Sequence, residues 1–96
     1  MKNTMNTETK KQKLPKWFEG SKYTIGANVT NPFSGESYQL NNIELSMYDF
    51  IMGAQFLIEM NGGPFSEDSV YLQNETRKGI DWFRENNAEA YMVLLD

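Results

Sequence analysis

The stretch from Asn42 to Asn61 limits what this chain can fold into more than any other, because it predicts a long helix with two apolar faces. At about 100° per residue, side chains three or four positions apart share a face. One stripe consists of Ile43, Met47, Phe50, Ile51, Ala54, Leu57 and Ile58. The second stripe, on nearly the opposite side, consists of Leu45, Tyr48, Met52 and Phe56. A short chain can bury one stripe in its own core but has difficulty covering both.

Length and composition exclude several classes of protein. Ninety-six residues predict one domain with one modest core. The sequence contains no apolar run long enough for a transmembrane helix, and no apolar segment follows the N-terminal lysines, so we expect neither a membrane partner nor a secretory signal. Cysteine and histidine are absent, which excludes disulfides, thiolate nucleophiles and the usual zinc sites. We therefore expect no cofactor, and a reducing cytoplasm fits the lack of cysteine.

Charge divides the chain into two parts. Residues 1–16 carry five lysines and one glutamate, a net charge of +4, whereas residues 17–96 carry four basic and twelve acidic side chains, a net charge of −8. We predict a disordered basic arm over 1–16 and a single α+β domain over 17–96. An acidic body repels phosphate, so nucleic acid is an unexpected partner. The part of the chain that could attract it is the arm, through Lys10, Lys11, Lys13 and Lys16.

Residues 22–40 predict a β-hairpin. Apolar and polar side chains alternate strictly along the first half, with Tyr23, Ile25, Ala27 and Val29 on the apolar face. The segment 31–35, Asn-Pro-Phe-Ser-Gly, has the residues of a turn, and the return strand places Tyr38 and Leu40 on the apolar face. Gly26 indicates a bulge or a close backbone approach. Because a lone hairpin is marginal in water, its apolar face must pack on the helices.

The remaining segments complete the predicted fold. Asn41 or Asn42 caps the long helix, and the pair Gly62–Gly63 ends it. Ser66, with Glu67 and Asp68, either begins the next helix or precedes a short extended piece over 69–73, and a helix capped by Asn74 is predicted to run to about Asn86. The apolar residues 90–95 dock on the core as either helix or strand. We expect Trp17 and Phe18 to anchor the arm. The prediction is thus an α+β domain, in which a two-stranded antiparallel hairpin packs on a long central helix, with a second helix and a docked C-terminal segment.

Four fragments of the chain resemble small uncharacterised proteins of tailed bacteriophages, especially those that infect aquatic bacteria. The fragments are Val29–Glu36, Tyr48–Gly53, Arg77–Arg84 and Ala90–Asp96. The resemblance implies a phage origin. It also implies one of two roles, an accessory protein that binds and redirects a host protein in the host cytoplasm, or a minor virion or assembly component. No functional residues can be transferred from such proteins.

The residues favour binding over catalysis. Glu44 and Glu59 share one side of the long helix, but fifteen residues separate them by about 22 Å, so they cannot act on one substrate. We predict no enzyme but a non-catalytic protein–protein interaction module. Its hypothetical binding surface is the second stripe, covered by another protein or by a second copy. Two alternatives stay open: the hairpin and the last helices cover both faces, or the arm and the hairpin aromatics bind single-stranded nucleic acid.

Overall fold

The computed structural model describes residues 12–96, in which two short strands are followed by three helices. The elements are β1 (Ala27–Thr30), β2 (Ser37–Leu40), α1 (Asn42–Met60), a 3₁₀ turn (Glu67–Ser69), α2 (Val70–Asn86) and α3 (Ala88–Leu94). The strands pair in an antiparallel two-stranded sheet, and the hairpin packs on the helices. The structure therefore confirms the predicted α+β class and the predicted order of the elements.

The hairpin turn forms as its residues predict. The Asn31 side-chain oxygen accepts a hydrogen bond from the backbone N–H of Phe33 at 2.8 Å, and the N–H of Gly35 donates to the Asn31 carbonyl at 2.8 Å. Gly35 has a φ of 80°, which glycine adopts without steric cost. The Asn31 amide also donates to the Val93 carbonyl at 3.0 Å. This bond ties the hairpin turn to the C-terminal helix.

Strand β1 is shorter than the alternation predicts. Pairing begins at Ala27, opposite Leu40, and the predicted apolar residues Tyr23 and Ile25 are exposed before it. The backbone N–H of Tyr23 donates to the Ser46 side chain at 2.8 Å, so the chain is bound to α1 there instead of to β2. At Gly26 any Cβ would collide with the Leu40 carbonyl oxygen. The predicted close backbone approach at Gly26 is therefore confirmed, and it marks where pairing starts.

Helix α1 begins and ends at the predicted signals. Asn41 is its N-cap, and the side chains and backbones of Asn41 and Glu44 form a reciprocal capping box. At the other end Gly62 and Gly63 have φ values of 99° and 88°, and the Gly63 N–H donates to the Ile58 carbonyl at 2.9 Å. The left-handed glycines turn the chain away from the helix axis.

Glu44 is the centre of a buried polar cluster that we call the Glu44 hub. Its carboxylate accepts hydrogen bonds from the Asn41 backbone N–H at 3.0 Å, from the Gln12 amide at 2.8 Å and from the Asn87 amide at 2.9 Å. The residue is only 5% exposed, so each of these bonds replaces lost hydration. The hub joins the N-terminal segment, the start of α1 and the junction between α2 and α3.

The hydrophobic core lies between α1, α2, α3 and the hairpin. Its buried members are Phe18, Leu40, Met47, Ile51, Phe83, Ala90 and Leu94. Phe18 confirms the predicted aromatic anchor, and half-buried Trp17 packs against the same cluster. Helices α1 and α2 approach closely at Gly79, where a Cβ would lie 2.8 Å from the Ile51 Cγ1 atom. Of the first predicted stripe, Met47, Ile51, Ala54 and Ile58 are buried, whereas Leu57 is exposed.

The structure decides two points that the sequence left open. Ser66 caps a 3₁₀ turn that runs directly into helix α2 at Val70, so the predicted start at Ser66 holds and residues 69–73 are not an extended piece. The apolar residues near the C-terminus form α3, with Asn87 as its N-cap, so they are helix and not strand. Their docking on the core confirms the prediction for this segment.

The described part of the predicted arm lies against the domain. The Trp82 indole N–H donates to the Lys13 carbonyl at 2.9 Å, and Leu14 packs on the core cluster. Together with Gln12 in the hub, these contacts place residues 12–16 on the body of the domain. Residues 1–11 lie outside the described chain, and the prediction of disorder there, with Lys10 and Lys11, stays a prediction.

Candidate functional site

The structure divides the predicted second stripe into a covered half and an exposed half. Leu45 and Tyr48 are half-buried against the core cluster, and burial raises the pKa of the Tyr48 phenol. Met52 and Phe56 are exposed by 37% and 64%. The alternative in which the domain covers both faces of the helix thus holds for the first half of α1. The hypothetical binding surface is confined to the second half.

The exposed half continues with two residues outside the predicted set. Leu57 and Met60 are exposed by 45% and 67%, and both lie near Phe56 on the side of α1 that faces away from the core. We call the surface formed by Met52, Gly53, Phe56, Leu57 and Met60 the outer face. The sequence pattern assigned Leu57 to the core stripe because it follows Ala54 of that stripe by three residues. The same position also lies at the edge of the second stripe. The helical wheel alone could have found Met60.

Gly53 lies within the outer face and has open space around it. A Cβ at Gly53 would meet no atom within 4 Å, in contrast to Gly79. A glycine in a helix interior costs about 1 kcal/mol relative to alanine. Within the described chain, no close neighbour explains why this position lacks a side chain. The outer face is therefore indented at its centre, where a partner backbone could approach closely.

A shallow groove borders the outer face. It has a volume of about 380 Å³ and runs between α1, Leu72 of α2 and the segment Gly20–Ser21. Phe50 and Ala54 line it from α1, with Phe56 and Leu57 on the outer-face side. Its lining is mainly apolar, and the one ionisable group among the lining residues is the exposed carboxylate of Asp49.

A smaller cleft lies on the other side of Met52, with a volume of about 230 Å³. The hairpin turn at Phe33 and the last two residues, Leu95 and Asp96, form its walls, and Tyr48 also lines it. Phe33 itself is exposed by 97%. Tyr48 is therefore partly enclosed by the chain's own hairpin and C-terminus, which is why it belongs to the covered half of the stripe.

The outer face lies in an acidic part of the chain. Between Lys22 and Arg77 the sequence contains no lysine or arginine, but it contains seven acidic residues. Helix α1 has no basic residue in its last turn, where cations would stabilise the helix dipole. Nearby, the carboxylate of Glu19 raises the pKa of the Tyr71 phenol and accepts a hydrogen bond from it at 3.2 Å.

The residues proposed for nucleic acid are not gathered at one site. Lys13 and Lys16 are exposed at the N-terminal segment, while Lys10 and Lys11 lie outside the described residues. On the hairpin, the Tyr38 hydroxyl donates to the Glu89 carboxylate at 3.2 Å, and burial is the main cause that raises its pKa. A carboxylate beside this aromatic side chain disfavours a phosphate backbone.

Residues 12–96 contain neither a membrane-spanning helix nor a cluster of potential metal ligands. No helix in this range is long and apolar enough to cross a membrane. The same residues hold no cluster of three or more potential metal ligands. Comparisons of the chain with models of protein families, with curated proteins and with solved structures find no match. The geometry of the chain itself is therefore the basis for a functional proposal.

Proposed function

We propose that this protein is a non-catalytic protein–protein interaction module that binds its partner through the outer face of α1. One observation carries the proposal: the second half of α1 exposes large apolar side chains that the described chain leaves uncovered. Phe56 and Met60 keep about two thirds of their surface in water, at 64% and 67%. Contiguous apolar surface of this kind is typical of interaction sites.

The residue types suit a contact surface. Aromatic and methionine side chains are enriched in the cores of interfaces, and the thioether of methionine adapts to different partner shapes. Met52 and Met60 flank Phe56 along the helix, so a rigid anchor stands between two adaptable side chains. The open space at Gly53 gives a partner room to approach the helix backbone.

The arrangement of carboxylates supports a non-catalytic role. The most buried ones are Glu44 and Glu75, at 5% and 6% exposure. Hydrogen bonds in the hub occupy Glu44, and Lys78 pairs with Glu75 at 2.7 Å. Both groups therefore have structural partners. The resemblance to phage proteins favours a host protein as partner, with a virion or assembly component as the other role in which the same surface would be used.

Photo-crosslinking in the cells that naturally produce the protein tests this proposal. A photoreactive phenylalanine analogue replaces Phe56 in one variant and Phe65 in the matched control. Phe65 is exposed by 99% but does not belong to the outer face. We expect a discrete adduct from position 56 and none from position 65. Equal adducts at both positions, or none at position 56, would contradict the proposal.

A further inference from the structure

We infer that the groove beside the outer face binds a basic amphipathic helix of the partner. This inference rests on the proposed function and specifies the class of partner. Three observations carry it: the apolar groove, the open space at Gly53, and the exposed carboxylate of Asp49 on a helix that contains no basic residue. An amphipathic helix that lays its apolar face into a hydrophobic groove is a common mode of peptide recognition.

The groove has the shape and lining for such a helix. Its walls come from both helices, with Ala54 and Leu57 contributed by α1 and Leu72 by α2. Gly53 removes the side chain that would otherwise hold a second helix away from the α1 backbone. Apolar side chains at helical spacing on the partner would contact Phe56 and Leu57, where water now covers apolar surface.

The charges select a basic partner. Asp49 is exposed within the groove, and helix α1 contains no basic residue. Glu59 does not belong to the groove, because it lines a different pocket together with Arg77. At the groove wall, Glu19 and Lys22 flank the segment 20–21 and offset each other. Lysine or arginine side chains on the flanks of the bound helix would therefore be attracted at the rim of the groove.

The same observations disfavour a second copy of this chain. With about 200 Å² for a fully exposed large side chain, the four apolar side chains of the outer face, exposed by 37 to 67%, present roughly 400 Å². Two such faces pressed together would bury roughly 800 Å², whereas stable interfaces bury about 1,200–2,000 Å². Each copy also carries a net charge of −4. A helix seated in the groove gains the groove walls as well and brings the opposite charge.

Binding of designed peptides to the full chain tests the inference. The probe is a fluorescent peptide of about 18 residues with leucine at helical spacing and lysine elsewhere. Two control peptides replace lysine by glutamate or scramble the order of the same residues. We expect the lysine helix to bind at least tenfold more tightly than either control. Equal binding of the scrambled peptide, or no binding of the lysine helix, would overturn the inference.

Variants of the protein locate the peptide. Phe56→Ala should weaken binding of the lysine helix about tenfold, because it removes an apolar contact without changing the charge. The matched control Phe65→Ala should change it less than twofold. Asp49→Asn should weaken binding about threefold, and Glu36→Gln, which removes an exposed carboxylate on the hairpin, should not. Equal losses in a variant and its control would refute binding in the groove.

Light scattering on the full chain separates the inference from the proposed function. A monomer over the concentration series is expected. A dimer that Phe56→Asp dissociates would overturn the basic helix as partner, while the outer face would still be a protein-binding surface. By contrast, failure of the crosslinking experiment at position 56 would refute the proposed function itself.

Discussion

Two glycines lie inside helices, and replacing each by alanine leads to a prediction about stability. The substitution at one position serves as the control for the substitution at the other. Gly53 and Gly79 both lie in helix interiors, so replacement by alanine gains the same helix propensity, about 1 kcal/mol, at each position. Their surroundings differ. A Cβ at Gly53 meets nothing within 4 Å, whereas one at Gly79 would lie 2.8 Å from Ile51 Cγ1 and 3.3 Å from Met47 Sδ.

The magnitudes follow from these distances. Ile51 and Met47 are fully buried and cannot move away without disturbing the core, and overpacking of this kind costs about 1–3 kcal/mol. We therefore expect Gly53→Ala to stabilise the fold by about 1 kcal/mol. Gly79→Ala should leave the free energy of unfolding unchanged or lower it by as much as about 2 kcal/mol. The difference between the two variants reports the overpacking alone.

Thermal and urea unfolding followed by circular dichroism provide the measurement. For a domain of this size, about 1 kcal/mol corresponds to a shift in Tm of roughly 4–8 °C, which such scans resolve easily. If Gly79→Ala stabilised the protein as much as Gly53→Ala, the close approach of α1 and α2 would be refuted. If Gly53→Ala lowered the stability, the open space at Gly53 would be refuted instead.

Two further predictions concern polar side chains. Glu44→Ala should lower the free energy of unfolding by about 2–4 kcal/mol, because the helix loses its capping box and buried donors lose their acceptor, while Glu59→Ala should change it by less than about 0.5 kcal/mol in the same urea titration. A loss below about 1 kcal/mol for Glu44→Ala would contradict the hub. The pKa values of Tyr38, Tyr48 and Tyr71 are raised above 10.0 in the folded state. The folded protein therefore holds these phenolic protons more tightly than the unfolded chain does. As a result, the free energy of unfolding should fall as the pH rises above about 10. Urea unfolding from about pH 8 to about pH 11 measures this decline, which should be smaller for Tyr48→Phe. A free energy of unfolding that does not change over this range in the natural protein would refute the prediction.

Local signals in the sequence predicted the beginnings and ends of several elements. The cap at Asn41, the stop at Gly62–Gly63 and the turn at Asn31 depend on hydrogen bonds and φ angles within a few residues, which sequence patterns record directly. Local signals left the start of α2 open, because Ser66 and Asn74 are both good capping residues. Continuity with the 3₁₀ turn before Val70 decided the start instead.

Contacts between distant segments were beyond prediction. The alternation at Tyr23 is a true strand pattern, yet Ser46 on α1 takes its backbone N–H, and no local rule reveals that competition. Lys13 reads as part of a charged arm, but its carbonyl is the acceptor for the Trp82 indole. In the same way, two apolar stripes on one helix indicate an excess of apolar surface without showing which half the hairpin and C-terminus cover.

The Glu44 hub has a consequence for the order in which the protein folds. Its partners are far apart along the chain: 32 residues separate Gln12 from Glu44, and 43 separate Glu44 from Asn87. Contacts between distant residues form late, because the chain entropy of closing the loop is lost before the bonds are gained. We therefore expect the first turn of α1 to acquire its full set of partners late in folding. A substitution of Gln12 or Asn87 should therefore show itself first as fraying of the first turn of α1, far away along the chain.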